Sequence, residues 1–211
     1  MVRNRGGTQP SPISQADVLE AALRVVERSS LEDLTVRAVA NECGVTAPAI
    51  HYHLRGKPAL ADRVVEAVAD RIRIVIDPDD SWEDQYIGLV RAMDRDFLRY
   101  PGTGMRALAA DGPSAAAARL TTTALGILHR GGFDESEARE IFTATYLMFV
   151  GWLATRGRSQ SGMTHPALAA AGGETTGNDG VDALESALRR LFAGTRDGNN
   201  KERGRDEHRE H

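Results

Sequence analysis

His51, Tyr52 and His53 stand in a row, with Thr46, Ala47 and Pro48 before them and Lys57 after them. This one short stretch combines imidazoles, an aromatic hydroxyl and a cation. On a helix advancing about 100° per residue, Ile50 and Leu54 share one stripe, while Pro48, His51, Tyr52 and Arg55 fall on the other side. The first pair can pack. An exposed face of hydrogen-bonding side chains around an aromatic ring gains little for folding, and it suits the base edges and phosphates of a DNA major groove. His53 lies toward the buried stripe, where it can simply cap or pack.

Such a face needs two helices in a fixed turn, and the residues upstream supply them. Thr35 is a good N-cap, and Val36, Val39 and Ala40 recur at the spacing that puts them on one helix face. Gly44 interrupts that pattern, since glycine tolerates the left-handed backbone that ends a helix. Val45 can pack under the turn. Thr46 is placed to cap the next helix, with Pro48 in its first turn where no amide hydrogen is needed. Lys57 is followed by Pro58, which opens a further helix whose free amides and positive end favour a nearby phosphate. The sequence thus predicts a helix-turn-helix over 35–54.

Residues 12–72 resemble the DNA-binding domain of the TetR (tetracycline-repressor-like) family of bacterial transcription regulators. The resemblance rests on SQADVLEAALRVVE as first helix, LEDLTVRAVANECGV as second helix and turn, TAPAIHYHL as recognition helix, and RGKPALADRVVEAVADRI as the start of a connecting helix. His51 replaces the first of the usual aromatic pair, and Leu54 replaces the usual Phe. The resemblance implies that Arg37 reaches DNA, that Thr46, Ala47, Pro48, His51 and Tyr52 face the groove or its walls, and that His53 and Lys57 touch the backbone.

Composition agrees with a small reading head on a larger body. A chain of 211 residues, 41% of them hydrophobic, can bury a substantial core, and two domains are expected. The formal net charge of −4 argues against a surface that meets nucleic acid everywhere. Instead Arg3 and Arg5 mark a flexible basic arm at 1–11, and acids cluster at 77–84 and 134–140. The opening residues are polar and contain Pro10 and Pro12, unlike a secretory signal, so a cytoplasmic location is expected. The apolar run 141–153 is too short for a membrane span. The single cysteine, Cys43, lies in the turn of the reading unit and reads as a small buried hydrophobe rather than a redox sensor.

Helix signals dominate the remainder, and the expected fold is all-α, with a helical ligand-binding and dimerisation domain at 73–195. Ser14 and Asp17 form a capping-box-like start for the first helix. Further helices are expected at 58–76, 81–100, 105–110, 114–130, 134–155 and 181–193. The Gly-, Ala- and Thr-rich stretch 157–178 reads as a loop, and 196–211 as a disordered tail.

The helix from 134 carries two apolar stripes. Ile141, Thr145, Met148 and Trp152 form one, and Phe142, Tyr146, Phe149 and Leu153 form the other. One stripe can close a cavity and the other can meet a partner. Phe142, Tyr146 and Leu153, with Leu184, Leu188, Leu191 and Phe192 of the last helix, are the candidate dimer interface; the alternative is that both faces are core of one chain. Candidate pocket residues are Met93, Asp94, Phe97, Met105, His129, Thr145, Met148, Phe149 and Trp152. Asp94 must meet a basic side chain, water or a ligand group, because an unpaired buried charge is too costly. His129 ends a long helix, where a cation suits the dipole.

The chain contains no phosphate loop, dinucleotide fingerprint, nucleophile elbow or paired-His zinc motif. His165, His208 and His211 lack metal-ligand company at a convincing spacing. Neither catalysis nor a metal or cofactor is therefore expected. The sequence supports a homodimeric, ligand-responsive regulator, a repressor by preference, with a palindromic double-stranded operator and a small-molecule effector as partners. The competing reading is a helical protein-interaction or small-molecule-binding module with no DNA role.

Overall fold

The computed structural model describes residues 13–53, 56–110, 112, 114–160, 166–170 and 179–206, and among these every regular element is an α-helix. The chain divides into two compact units, Met1–Val65 and Glu66–His211. The division falls inside a helix, a few residues before the boundary at 72 read from the sequence. The expected arm at 1–11 lies outside the described residues.

In the first unit, α1 (Gln15–Arg28) opens with a capping box. Ser14 Oγ accepts from the Asp17 amide at 3.1 Å, and the Ser14 amide donates back to Asp17 Oδ2 at 2.9 Å. Its inner face, Val18, Ala21, Ala22, Leu23 and Val26, is fully buried. α1 packs on α2 (Val36–Cys43) and α3 (Ala47–His53). Thr35 caps α2 by accepting from the Ala38 amide at 3.0 Å. Arg24 and Arg28 of α1 both donate to Glu42 of α2, Arg24 Nε at 2.8 Å. These two hydrogen bonds hold the Glu42 carboxyl below its usual range.

α4 (Gly56–Arg71) passes from the first unit into the second. It stops five residues short of the expected end at 76. The β-branched run Ile72, Ile74, Val75 and Ile76 favours helix weakly. Tertiary partners also take up the last helical carbonyls, so 72–77 continue as irregular chain.

The second unit is a bundle of α5 (Trp82–Arg99), α6 (Thr103–Leu108), α7 (Ala115–Arg130), α8 (Glu135–Gln160), α9 (Pro166–Ala170) and α10 (Asp179–Asp206). α5 packs on α7 and α10, and α8 packs on α6, α7 and α10. Serines at 81 and 114 cap α5 and α7. Asp134 caps α8, with Oδ1 accepting from the Ser136 and Glu137 amides at 2.8 and 2.9 Å. Two sequence expectations are corrected here. α8 persists to Gln160, and α10 continues past 193 to Asp206, through residues read as a disordered tail. No proline interrupts that stretch, and its Arg, Lys and Glu residues are good helix formers.

The core of the bundle centres on Tyr86, Leu89, Ile127, Leu128, Ile141, Phe149, Leu188 and Phe192. Phe192 sits edge-on to Trp82 and Tyr86, with centroids 4.8 and 5.5 Å away. Leu184, Leu188 and Phe192 are therefore buried within their own chain, as is Leu153. The dimer interface expected of these four is corrected to that extent: their side chains are taken up by the core of their own chain, which leaves little of them for a partner. At the rim, Arg91 bonds to Glu185, and Arg189 bonds to Asp84 at 2.9 Å, joining α5 to α10.

Two predictions follow from this packing. A Cβ at Gly131 would stand 2.7 Å from Trp82 Cγ, so Gly131→Ala should lower stability by about 1–3 kcal/mol in denaturant titrations. Tyr86 Oη lies 2.6 Å from Thr145 Oγ1, which in turn donates to the Ile141 carbonyl at 2.9 Å. Burial pushes the Tyr86 phenol up to about 12, against a slight opposing effect of the Thr145 contact. Below pH 10.0 folded and unfolded chains both keep that proton; between 10.0 and about 12 only the unfolded chain loses it. Stability should fall as pH rises through this window, and Tyr86→Phe should flatten the fall when the two proteins are compared at about pH 9 and about pH 11.

Candidate nucleic-acid interface

The turn that presents α3 is built on Gly44. Its φ of +67° lies in the left-handed region, and the Val45 amide reaches back to the Ala40 carbonyl at 3.0 Å. The chain thereby reverses within three residues and starts α3 at Ala47. Within α3, Ile50 is fully buried. The opposite face is exposed: Thr46 and Pro48 at its start, then His51, then Tyr52 with 87% of its surface open to solvent. Ala47 is half-buried. His53 is also half-buried and meets the Tyr52 ring edge-on at 5.2 Å, which fixes the direction in which Tyr52 projects. Leu54, the expected second packing residue, lies outside the described residues.

The cations of this unit differ in their engagements. Arg37, on α2, is exposed and makes no hydrogen bond or ion pair among the described residues. Lys57 is also exposed, and its ammonium donates to the Glu32 carbonyl at 2.7 Å. This bond uses one of three donors and ties the start of α4 to the loop before α2, leaving two donors for an anion. Arg24 and Arg28 are occupied by Glu42. Cys43 is half-buried, and burial pushes its thiol above its ordinary value, so it is a poor nucleophile.

In the second unit the structure brings together only some of the expected pocket residues. Met93, Asp94 and Phe97 of α5 approach Met148, Phe149 and Trp152 of α8, with the Phe97 and Phe149 rings 6.5 Å apart. The buried Asp94 carboxylate accepts from Trp152 Nε1 at 2.8 Å, and Thr145 is engaged with Tyr86. Two expected members stand apart. Met105 is 47% exposed on α6. His129 is exposed at the end of α7, where Nδ1 lies 3.2 Å from the Phe133 carbonyl and Nε2 3.5 Å from Glu135. Both partners are local, four and six positions along the chain.

Of the expected interface residues, Tyr146 is 44% exposed, and Phe142 and Leu191 are half-buried. Phe142 stacks on Tyr146 with centroids 6.0 Å apart. Sequence reasoning missed Leu147, the next residue along α8, which is 62% exposed. Its adjacency to Tyr146 on a helix with apolar residues all round was the available signal. Among the described residues no helix is long and apolar enough to cross a membrane.

The arrangement defines a helix-turn-helix head and a helical body. The family model described as bacterial regulatory proteins, tetR family, matches residues 18–64. Tetracycline repressor protein class A from transposon 1721 of Escherichia coli is 31% identical over 132 residues, covering 61% of each chain. The chain thus spans about three fifths of the length of that relative. A possible TetR family transcriptional regulator from Streptomyces coelicolor A3(2) superposes with a TM-score of 0.71 at 20% identity, over 87% of this chain and 98% of that one. BioQ, solved with its natural double-stranded DNA operator, superposes with a TM-score of 0.59 at 20% identity, over 83% of this chain and 98% of that one. The family match is thus confined to the helix-turn-helix head, residues 18–64.

The two faces of α3 should separate in mutation. Ile50→Ala should destabilise the protein by about 2–5 kcal/mol. Tyr52→Ala, which removes an almost fully exposed ring, should stay within about 0.5 kcal/mol of wild type in the same denaturant titration.

Proposed function

We propose that the chain is a sequence-specific, DNA-binding regulator of transcription, a repressor that acts as a homodimer on an inverted-repeat operator and is released by a small molecule. The observation that carries this reading is the exposed set on α3, with Pro48, His51 and Tyr52 outward over a fully buried Ile50. An almost bare aromatic hydroxyl between two imidazoles offers donors, acceptors and a flat apolar edge at the scale of base pairs. In this reading Thr46, Ala47, Pro48, His51 and Tyr52 meet the groove. Arg37, His53 and Lys57 hold phosphates, Lys57 through the donors that Glu32 leaves over.

One such head reads only a few base pairs. Two heads related by a twofold axis read half-sites about 34 Å apart, or a multiple of that distance. Tyr146 and Leu147, with the half-buried Phe142 and Leu191 beside them, support the pairing surface on α8 and α10. The effector site is assigned to the space flanked by Met93, Phe97, Met148 and Phe149, an apolar surround that suits a largely apolar, ring-bearing molecule. A ligand that binds better to the spread form must weaken DNA binding by its differential affinity for the two forms. The relative named for tetracycline and the DNA-bound BioQ support both halves of this reading. We assign the protein to the cytoplasm and give it no catalytic role.

Selection from a random duplex library with the purified protein should return an inverted repeat, bound with an affinity that falls steeply as salt rises. Tyr52→Ala should weaken that binding about tenfold or more while sedimentation still shows a dimer. Leu147→Arg should yield monomer and abolish full-site binding. A protein that selects no duplex, or that binds with no salt dependence, is instead a helical interaction module.

A further inference from the structure

No permanently charged side chain stands on α3. Its sequence is APAIHYH, preceded by Thr46. The side chains that most often read base edges, those of Arg, Lys, Asn, Gln, Asp and Glu, are all missing from it. Ile50 is buried, Ala47 and Pro48 offer apolar surface, and the half-buried His53 meets the Tyr52 ring edge-on. The nitrogen-bearing side chain left exposed on this helix is His51, and it makes no hydrogen bond or ion pair among the described residues. Any discrimination between bases that needs a nitrogen donor on α3 therefore falls to one imidazole.

An imidazole is two readers in one. Neutral, it carries one N–H donor and one acceptor nitrogen; protonated, it carries two donors and no acceptor. In the major groove guanine shows two neighbouring acceptors, N7 and O6, whereas adenine shows an acceptor beside a donor and cytosine shows a donor. The neutral ring can satisfy adenine or guanine. The charged ring matches guanine, sets donor against donor at adenine and cytosine, and makes a charge-assisted and hence stronger bond to guanine. Histidine ordinarily exchanges these two forms between about pH 5 and about pH 8.

No described neighbour competes for the His51 ring. α1 and α2 pack on α3. On α1, Asp17 is bonded within the cap at Ser14, Arg24 and Arg28 are held by Glu42 of α2, and Glu20 and Glu27 are exposed with partners of their own. On α2, Arg37 is exposed and Cys43 is half-buried. On α3 itself, Tyr52 and His53 contact each other. Among the described residues none of these groups, nor Lys57 at the start of α4, is bonded or ion-paired to His51.

We propose that His51 is a specificity-determining residue that reads guanine in its protonated form, so that base preference at one position of each half-site depends on pH. This rests on the regulator reading above. A guanine site binds the charged ring better than the neutral one, so affinity for that site rises as pH falls through the histidine range.

The test is selection from a random duplex library at about pH 6 and about pH 8, followed by affinities for duplexes that differ at the enriched position. Wild type should prefer guanine there, and the ratio of its affinities for the guanine and adenine duplexes should fall about fivefold from the lower pH to the higher. Phosphate contacts, those assigned to His53 included, cancel in that ratio. His51→Arg should keep the guanine preference at both pH values. His51→Gln, whose amide pairs with adenine, should turn the preference to adenine without pH dependence. Thermal midpoints of both variants should stay at the wild-type value, since the ring is exposed. A guanine-to-adenine ratio constant within about twofold between the two pH values, or a His51→Gln protein that selects the same bases as wild type, overturns the proposal and leaves the regulator reading in place. A wild-type protein that selects no duplex overturns both.

Discussion

Everything the N-terminal unit presents outward depends on one left-handed residue. At Gly44 the backbone turns to a φ of +67°, and the Val45 amide closes onto Ala40. A side chain there would strain the backbone, and a longer turn would let α3 rotate about its axis. Rotation by one residue's angle would carry Ile50 out of the core and put His51 in its place. The hydrophobic stripe and the turn therefore specify the same orientation by independent means: burial of Ile50 sets the rotation of α3, and Gly44 sets its direction. His53 adds a third constraint through its edge contact with Tyr52.

The body is organised by a different rule, in which polar groups carried inside the bundle are matched with partners across helices. Trp152 on α8 donates to Asp94 on α5, and Tyr86 on α5 meets Thr145 on α8. Both pairs bridge the same two helices, so α5 and α8 are registered by hydrogen bonds as well as by apolar packing. Buried groups matched in this way favour one alignment over slipped ones, because a slip would break both inter-helix bonds. The aromatic stack of Trp82, Tyr86 and Phe192 closes the other flank and draws α10 onto α5.

Features encoded within a few residues were legible in the sequence. The Ser14–Asp17 capping box, the Thr35 cap, the Gly44 reversal, the inward Ile50 with outward His51 and Tyr52, and the stop of α7 at Gly131 all follow from local chemistry. Features decided by distant partners were not. The stripe of Leu184, Leu188 and Phe192 was visible, but periodicity cannot say whether its cover comes from the same chain or another copy. The end of α4 depends on Arg119, 50 positions away along the chain. The continuation of α10 beyond 193 was masked by three glycines and a high charge content, which read equally well as a tail. For the residues assigned to DNA, exposure and direction follow from helix geometry, whereas the family resemblance alone supplied the division between groove and backbone contacts.

Under the proposed DNA-binding role, Glu42 has a consequence for how the protein finds its site. By taking up both Arg24 and Arg28, it removes two cations from the field the head shows to a polyanion. Affinity for arbitrary DNA comes almost wholly from counterions displaced by free cations, so a head with few of them releases wrong sequences quickly. Discrimination is measured against the mass of competing duplex, and weakening that background improves occupancy of the right site as surely as tightening the right contact. An acidic side chain between two helices, structural by its geometry, thus bears on the search.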